Sequence, residues 1–353
     1  MKNLFRYGLY FLIVVCSAVS YAQENNVSTI LVEDTALFAD DSPLKVDLTF
    51  SLKEFRKKTN DSTYFKLPLK YSTLEDDWFE IPSRLRVRGN YRLDNCYFAP
   101  LKLKIKKKHA EGTLFDDNRT LKIVVPCLNE KDNNDNVVKE YLAYRIYEIL
   151  SPYHFNTRLL DITFNELKGK RTKVHQLKGF LIEDDKDVAK RSNGKVYKNI
   201  NHPLNYDAVS SVRNAMFQCM IGNTDFSSAY QHNCKAIYVD TKIIPIPYDF
   251  DMSGFVDASY AVVSQIQEES LNLSSVSERL YRGFVREEAV FEQVRQEFLD
   301  HQQAIVALLD AHAGYFENTR EFTSAKEFIL SFFSVLQNEE EFKKMIIEKA
   351  RKG

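Results

Sequence analysis

From residue 45 to 52 apolar and polar positions alternate, with Val46, Leu48, Phe50 and Leu52 on one face, the two-residue period of a half-buried strand. The same period recurs over residues 84–88, where Leu85 and Val87 alternate with Arg84, Arg86 and Arg88, and Gly89 with Asn90 then predicts a turn. Over residues 101–106 Leu101, Leu103 and Ile105 face one way and Lys102, Lys104 and Lys106 the other. Residues 121–125 form a more continuous apolar strand closed by Pro126. A polar loop, 129–136, precedes a helix over 137–150 in which Val138, Leu142, Ile146 and Ile149 recur at helical spacing. Strands follow over 158–164 and 174–182, before a stretch containing Glu183, Asp184, Asp185 and Asp187. Beyond it the pattern turns helical over 206–221. It gives a strand at 236–239 and an apolar run at 243–248 interrupted by Pro245 and Pro247. From about 268 to 351 it reads as helices with stripes such as Val294, Phe298, Ile305 and Leu309.

A sheet with one helix first and a mostly helical half second predicts an α+β fold of two lobes. The expected organisation is a leader over 23–43, a sheet-rich N-lobe over 44–183 and a helix-rich C-lobe over 184–353, with the boundary near 183–198. Residues 1–22 read as a signal peptide. Lys2 and Arg6 precede a short apolar run, and Ser20 and Ala22 supply the small residues of a cleavage site. The mature chain is therefore expected to be exported, to the periplasm, the cell surface or the exterior, with no membrane span after cleavage. Four cysteines then remain, Cys96, Cys127, Cys219 and Cys234, which admit three pairings or four small buried hydrophobes.

Composition narrows the chemistry. With 48 basic against 49 acidic residues and a net charge of -1, nothing supports whole-molecule attraction to nucleic acid. Only 11 glycines occur in 353 residues, and neither GxGxxG nor GxxxxGK[ST] is present, which excludes ordinary Rossmann and P-loop sites. What remains is a set of carboxylates and amides, each directly following an apolar element: Asn223 and Asp225, Asn233, and Asp249 with Asp251. Hard divalent cations take oxygen ligands, and a metal-bound triphosphate needs carboxylates, an amide oxygen and a base near the acceptor hydroxyl. Taken singly, an Asp at a strand end is most often a turn former; Asp225, Asn233 and Asp249 together supply the full inventory. Lys102 or Lys104 could offer an ammonium to phosphates, held in place by Glu140 on the following helix. His232, the one histidine near these residues in sequence, reads as an orienting residue rather than a ligand.

Across roughly residues 84–254 the chain resembles the CotH family of secreted atypical protein kinases. The family's RxRG turn is similar to Arg86, Val87, Arg88 and Gly89, and its lysine-bearing strand to residues 100–105. A GxYxxxE-like strand resembles residues 179–183, followed by Val196, Tyr197 and Lys198. Most specific is the GNxD element, here Gly222 to Asp225, followed by a separate Asn233 and then Ile246, Pro247, Tyr248, Asp249, Phe250 and Asp251. The resemblance implies a kinase-like two-lobed fold, ATP with Mg²⁺ or Mn²⁺ as cofactors, and a hydroxyl of an exported protein as acceptor. It implies Asp225 as the catalytic residue and Asn233, Asp249 and Asp251 on the metal, with Arg88, Lys102 or Lys104, Glu140 and Glu183 serving the nucleotide. The chain departs from the family after Gly89, where Arg92, Phe98 and Ala99 stand in place of a Ser and a Lys pair. Two rivals remain: a non-catalytic surface protein that keeps the scaffold for binding, and a glycosyltransferase using Asp249 and Asp251 as a DxD motif.

Overall fold

The computed structural model describes residues 34–73, 77–88, 95–130, 133–264 and 271–352. The expected signal peptide, the Gly89 and Asn90 turn and Arg92 lie outside the described residues. Among these residues seven strands close into a barrel: β1 (Leu44–Phe50), β2 (Phe65–Ser72), β3 (Trp78–Val87), β4 (Leu101–Ile105), β5 (Thr120–Val124), β6 (Thr157–Lys168) and β7 (Arg171–Ile182). Their order is β1-β2-β3-β4-β5-β7-β6. Neighbours are antiparallel except β1 and β6, which run parallel with Leu44 opposite Leu160 and Phe50 opposite Glu166. That single parallel contact closes the sheet on itself and removes both edges.

This closure overturns the expected two-lobed α+β fold of an antiparallel N-terminal sheet plus helix and a mostly helical C-terminal lobe. The structure instead has a closed seven-stranded mixed barrel with flanking helices. Alternation within each strand tells which face is buried, but it is silent about partners more than 100 residues away, and it is such a pairing that makes the barrel. Boundaries shifted for local reasons too. Leu52 leaves the strand pattern because the Ser51 side chain accepts a hydrogen bond from the Glu54 amide and starts a helix, α1 (Leu52–Lys58). β2 escaped notice because Pro68 sits in its middle, directly opposite Pro82 of β3.

The barrel interior is filled by alternate residues such as Val46, Leu69, Leu85, Leu103, Ile123, Ile162 and Leu181. On β5, β6 and β7 some of the outward positions are apolar as well. Val124, Leu159, Phe180 and Ile182 join a second core with the long helix α2 (Asn133–Leu150). Around that core lie α3 (Asp185–Arg191), α4 (Ala208–Met220), α5 (Glu288–Asp300), α6 (Gln302–Ala311) and α7 (Thr319–Gln337). A three-stranded antiparallel sheet completes it, ordered β10-β9-β8: β8 (Lys195–Tyr197), β9 (Cys234–Val239) and β10 (Lys242–Pro247). The two prolines of β10 are tolerated because β10 is an edge strand. The expected stripe of Val294, Phe298, Ile305 and Leu309 is buried. No helix among the described residues is long and apolar enough to cross a membrane.

Of the three cysteine pairings the structure holds one bond, Cys96 to Cys127, while Cys219 and Cys234 are free and buried. The bond ties the approach to β4 to the exit from β5 across 31 residues of sequence. Because it shortens the loops open to the unfolded chain, Cys127→Ser should lower unfolding free energy by about 3 kcal/mol. Urea titration of oxidised parent and variant checks this, and superimposed curves would show the bond to be energetically idle.

Candidate functional site

Helix α4 ends at Met220, and Gly222 follows at φ 65°, a left-handed backbone that glycine adopts without cost. A Cβ here would also press on the Phe328 ring at 3.0 Å. The Asn223 side chain then folds back: its amide nitrogen donates to Gln218 Oε1 at 2.9 Å and its oxygen accepts the Asp225 amide at 2.9 Å. These bonds fix the direction in which Asp225 leaves the turn. Ser227 pairs with His232 across the next loop, so the chain returns to set Asn233 beside Asp225. The Asn233 side-chain nitrogen donates both to the Asp225 backbone carbonyl, at 2.7 Å, and to its carboxylate, at 2.9 Å.

β9 starts at the residue after Asn233 and turns through Asp240 and Thr241, both at positive φ, into β10. The hairpin register places Pro247 opposite Cys234. Tyr248 can therefore donate its amide to the Asn233 carbonyl at 3.2 Å, which leaves Asp249 next in line. Asp249 has φ 67° and donates its amide to the Tyr144 hydroxyl at 2.8 Å. Tyr144 lies one helical turn after Glu140 on α2, so both project from the same face. Phe250 points into the core, with its ring centroid 4.6 Å from that of Tyr144 and 5.4 Å from that of Phe217. With Phe250 anchored inward, Asp249 and Asp251 flank it, and three carboxylates from two distant segments converge.

One oxygen from each of Glu140, Asp249 and Asp251 lies within 4.8 Å of the others. Oxygens bound about 2.1 to 2.4 Å from one cation are at most about 4.8 Å apart, so the cluster fits a single Mg²⁺-, Mn²⁺- or Ca²⁺-sized ion. Glu140 and Asp251 are buried. Like charges so close repel strongly at low dielectric, and a hard divalent cation supplies the matching counter-charge. Burial, followed by the charges of Glu140 and Asp249, pushes the Tyr144 phenol well above its ordinary value, so it stays neutral.

Asp225 answers to a different set of neighbours. Its carboxylate accepts from Ser264 Oγ at 2.9 Å and from Asn233, and meets His232 Nε2 at 3.2 Å. Burial raises its pKa, but the bonds from His232, Ser264 and Asn233 outweigh burial and hold it below the usual carboxylate range. His232 is pushed up, chiefly by its bond to Asp225, with a smaller contribution from the charge of Asp249. Asp249 is therefore near enough to act on the histidine that Asp225 holds. A carboxylate kept ionised and aimed by three donors suits the orientation of a hydroxyl and acceptance of its proton.

The sequence-predicted residues divide into three groups. Glu140, Asp225, Asn233, Asp249 and Asp251 come together as described. Arg88 lies beside them, close enough for its charge to act on Tyr144, Tyr248 and Lys122. Lys102, Lys104 and Glu183 make their contacts with other residues. Lys102 pairs with Asp184 at 3.2 Å, not with Glu140, and Lys104 lines a groove on the outer face of the barrel. Glu183 is buried, accepting from the Asn156 amide at 3.1 Å and from Arg191 Nε at 3.1 Å; burial pushes it up to about 7 against the pull of Arg191. It joins the end of β7 to the start of β6 and to α3.

The residue that sequence reasoning missed is Lys122. It stands opposite Lys102 on β5, with its ammonium 4.9 Å from the ring centroid of Phe155 and 4.7 Å from that of Tyr248. The Nζ is buried and, among the described residues, has no hydrogen-bond partner. Burial, then the charges of Arg88 and Lys235, push its pKa down to about 7, while Asp185 and Asp184 pull the other way. Lys235 adds another cation at 5.1 Å from the Tyr248 ring. The only sign in the sequence was a single lysine within the apolar strand 121–125. No protein-family model matches the chain, and no curated protein matches it.

Proposed function

We propose that this chain transfers the γ-phosphoryl group of ATP, taken up with Mg²⁺ or Mn²⁺, to a hydroxyl of an exported protein, as its resemblance to the CotH kinases implies. The observation that carries this reading is the convergence of Glu140, Asp249 and Asp251 into one cation-sized cluster near the aimed carboxylate of Asp225. In this reading the three carboxylates hold the cation, which neutralises phosphate charge when bound. Lys122, Arg88 and Lys235 meet the phosphates. Lys122 in particular has a buried donor that an anion would satisfy. Asp225 orients the acceptor hydroxyl and takes its proton, while Asn233 keeps that carboxylate in position. Activity belongs to such a constellation rather than to the architecture beneath it, and a barrel can present it as another fold would.

Thermal denaturation with added nucleotide tests the proposal directly. ATP with Mn²⁺ or Mg²⁺ should raise the melting temperature by several degrees at concentrations about a hundredfold above Kd. A UDP-sugar with the same metal should not. A shift with the UDP-sugar alone would favour the glycosyltransferase reading, and no shift with either would favour a binding scaffold.

A further inference from the structure

We infer that the outer face of the barrel carries a docking groove for an acidic, extended peptide, lying outside the phosphoryl-transfer site; as a substrate-docking element it rests on the reading above. On β2, β3 and β4 the inward positions belong to the barrel core, so Lys66, Arg84 and Lys104 all face outward. The strand registers set them in one line, Lys66 opposite Arg84 and Arg84 opposite Lys104. Like charges directly opposite one another on a sheet destabilise it. Elsewhere on the same face the chain offsets them: Lys70 pairs with Glu80 at 3.6 Å, Arg86 with Asp61 at 3.1 Å and Lys102 with Asp184 at 3.2 Å. Among the described residues Lys66, Arg84, Lys104 and the neighbouring Lys106 have no carboxylate within ion-pair distance. Arg84 Nε is buried and, among the described residues, has no hydrogen-bond partner.

These cations surround a cavity of about 320 Å³ whose remaining walls include Leu67, Pro68, Pro82 and His109. Its walls combine ammonium groups with apolar surface, which suits a chain alternating carboxylates with uncharged side chains. The span fits too. Two inter-strand spacings separate Lys66 from Lys104 by about 10 Å, which accommodates two carboxylates at alternate positions of an extended peptide, on one face and about 7 Å apart. The Tyr64 ring lies against Arg84 and Arg86, at 5.7 and 5.5 Å, so that face is taken and does not serve to stack a nucleic-acid base. The groove continues toward the site: the next outward row along the same strands is Arg86, Lys102 and Lys122. An acidic segment held in the groove would bring a neighbouring hydroxyl of the same chain toward the phosphate-binding cations.

The test is binding without chemistry. Fluorescence anisotropy of the full chain with a labelled peptide alternating Glu with Ala and Leu, in the absence of ATP and metal, should show saturable binding that weakens with salt. Lys66→Glu combined with Lys106→Glu, two exposed positions, should weaken it at least tenfold while leaving the ATP·Mn²⁺ thermal shift unchanged. Equal peptide affinity in parent and variant overturns the groove, and so does binding of a labelled single-stranded oligonucleotide in preference to the peptide. Loss of the ATP·Mn²⁺ shift in the parent, with peptide binding and its sensitivity to the variant intact, would refute the kinase reading and leave the groove standing as an acidic-peptide site.

Discussion

Asp225→Asn should leave the affinity for ATP·Mn²⁺ within about twofold of the parent and lower phosphoryl transfer roughly a hundredfold or more, whereas Asp249→Asn should weaken that affinity at least tenfold. The contrast follows from where the two carboxylates sit. Asp249 belongs to the cluster with Glu140 and Asp251, so removing its charge takes one of three anionic ligands from the cation. Asp225 spends its bonds on Ser264, His232 and Asn233, outside the set of three. Titration calorimetry and transfer of labelled phosphate to an acceptor protein measure the two effects separately. If both variants transfer phosphate as well as the parent, neither carboxylate serves a kinase; if both lose nucleotide equally, the division of labour is wrong.

Lys122→Met should make the protein more stable and at the same time abolish the ATP·Mn²⁺ thermal shift. Burial, followed by Arg88 and Lys235, pushes the Lys122 amine down to about 7 in the folded protein, against an unfolded value near 10.5. Between those values the unfolded chain holds a proton that the folded chain has released. Parent stability therefore rises with pH across the window from about 7 to about 10.5, and below it the full cost of burying the charge is present. Methionine fills a similar volume with no charge to bury, so the variant should gain on the order of 2 to 4 kcal/mol at pH 7 and keep little of that gain near pH 10. Chemical denaturation of both proteins at pH 7 and pH 10, in chelator, gives the comparison. A Met variant less stable than the parent at pH 7 would mean that the ammonium is held by favourable contacts with Phe155 and Tyr248 rather than stored for an anion.

Stability traded for binding in this way is expected where a site must hold a charge ready for its ligand. The basic row of Lys66, Arg84 and Lys104 shows the same economy on the barrel's outer face, although there the two lysines are exposed to water and the cost is smaller.

Local pattern alone was enough to reveal much of the chain. The alternation in β1, β3, β4 and β7 and the helical stripe of α2 were legible because burial on one face forces a period of two or of 3.6 residues. Asp225, Asp249 and Asp251 were legible as well, since each follows an apolar element that ends shortly before it, whereas Asn233 precedes β9 and was legible from the family resemblance. What no local pattern could contain was who pairs with whom. The parallel seam between β1 and β6 joins segments more than 100 residues apart and turns the expected open sheet into a barrel. The partner of Glu140 was decided the same way: α2 meets the segment that follows β10, where Tyr144 touches the Asp249 amide and the Phe250 ring, so Glu140 meets Asp249 and Asp251 while Lys102 is claimed by Asp184. Lys122, read as part of an apolar strand, acquired its character only from the rings of Phe155 and Tyr248 that enclose it. Sequence by itself determined which faces are buried and which side chains could carry charge and chemistry, because those follow from periodicity and residue type. Tertiary structure alone decided which of them share a site, because that depends on long-range contacts in which the core of the whole fold, not any one segment, selects the neighbours.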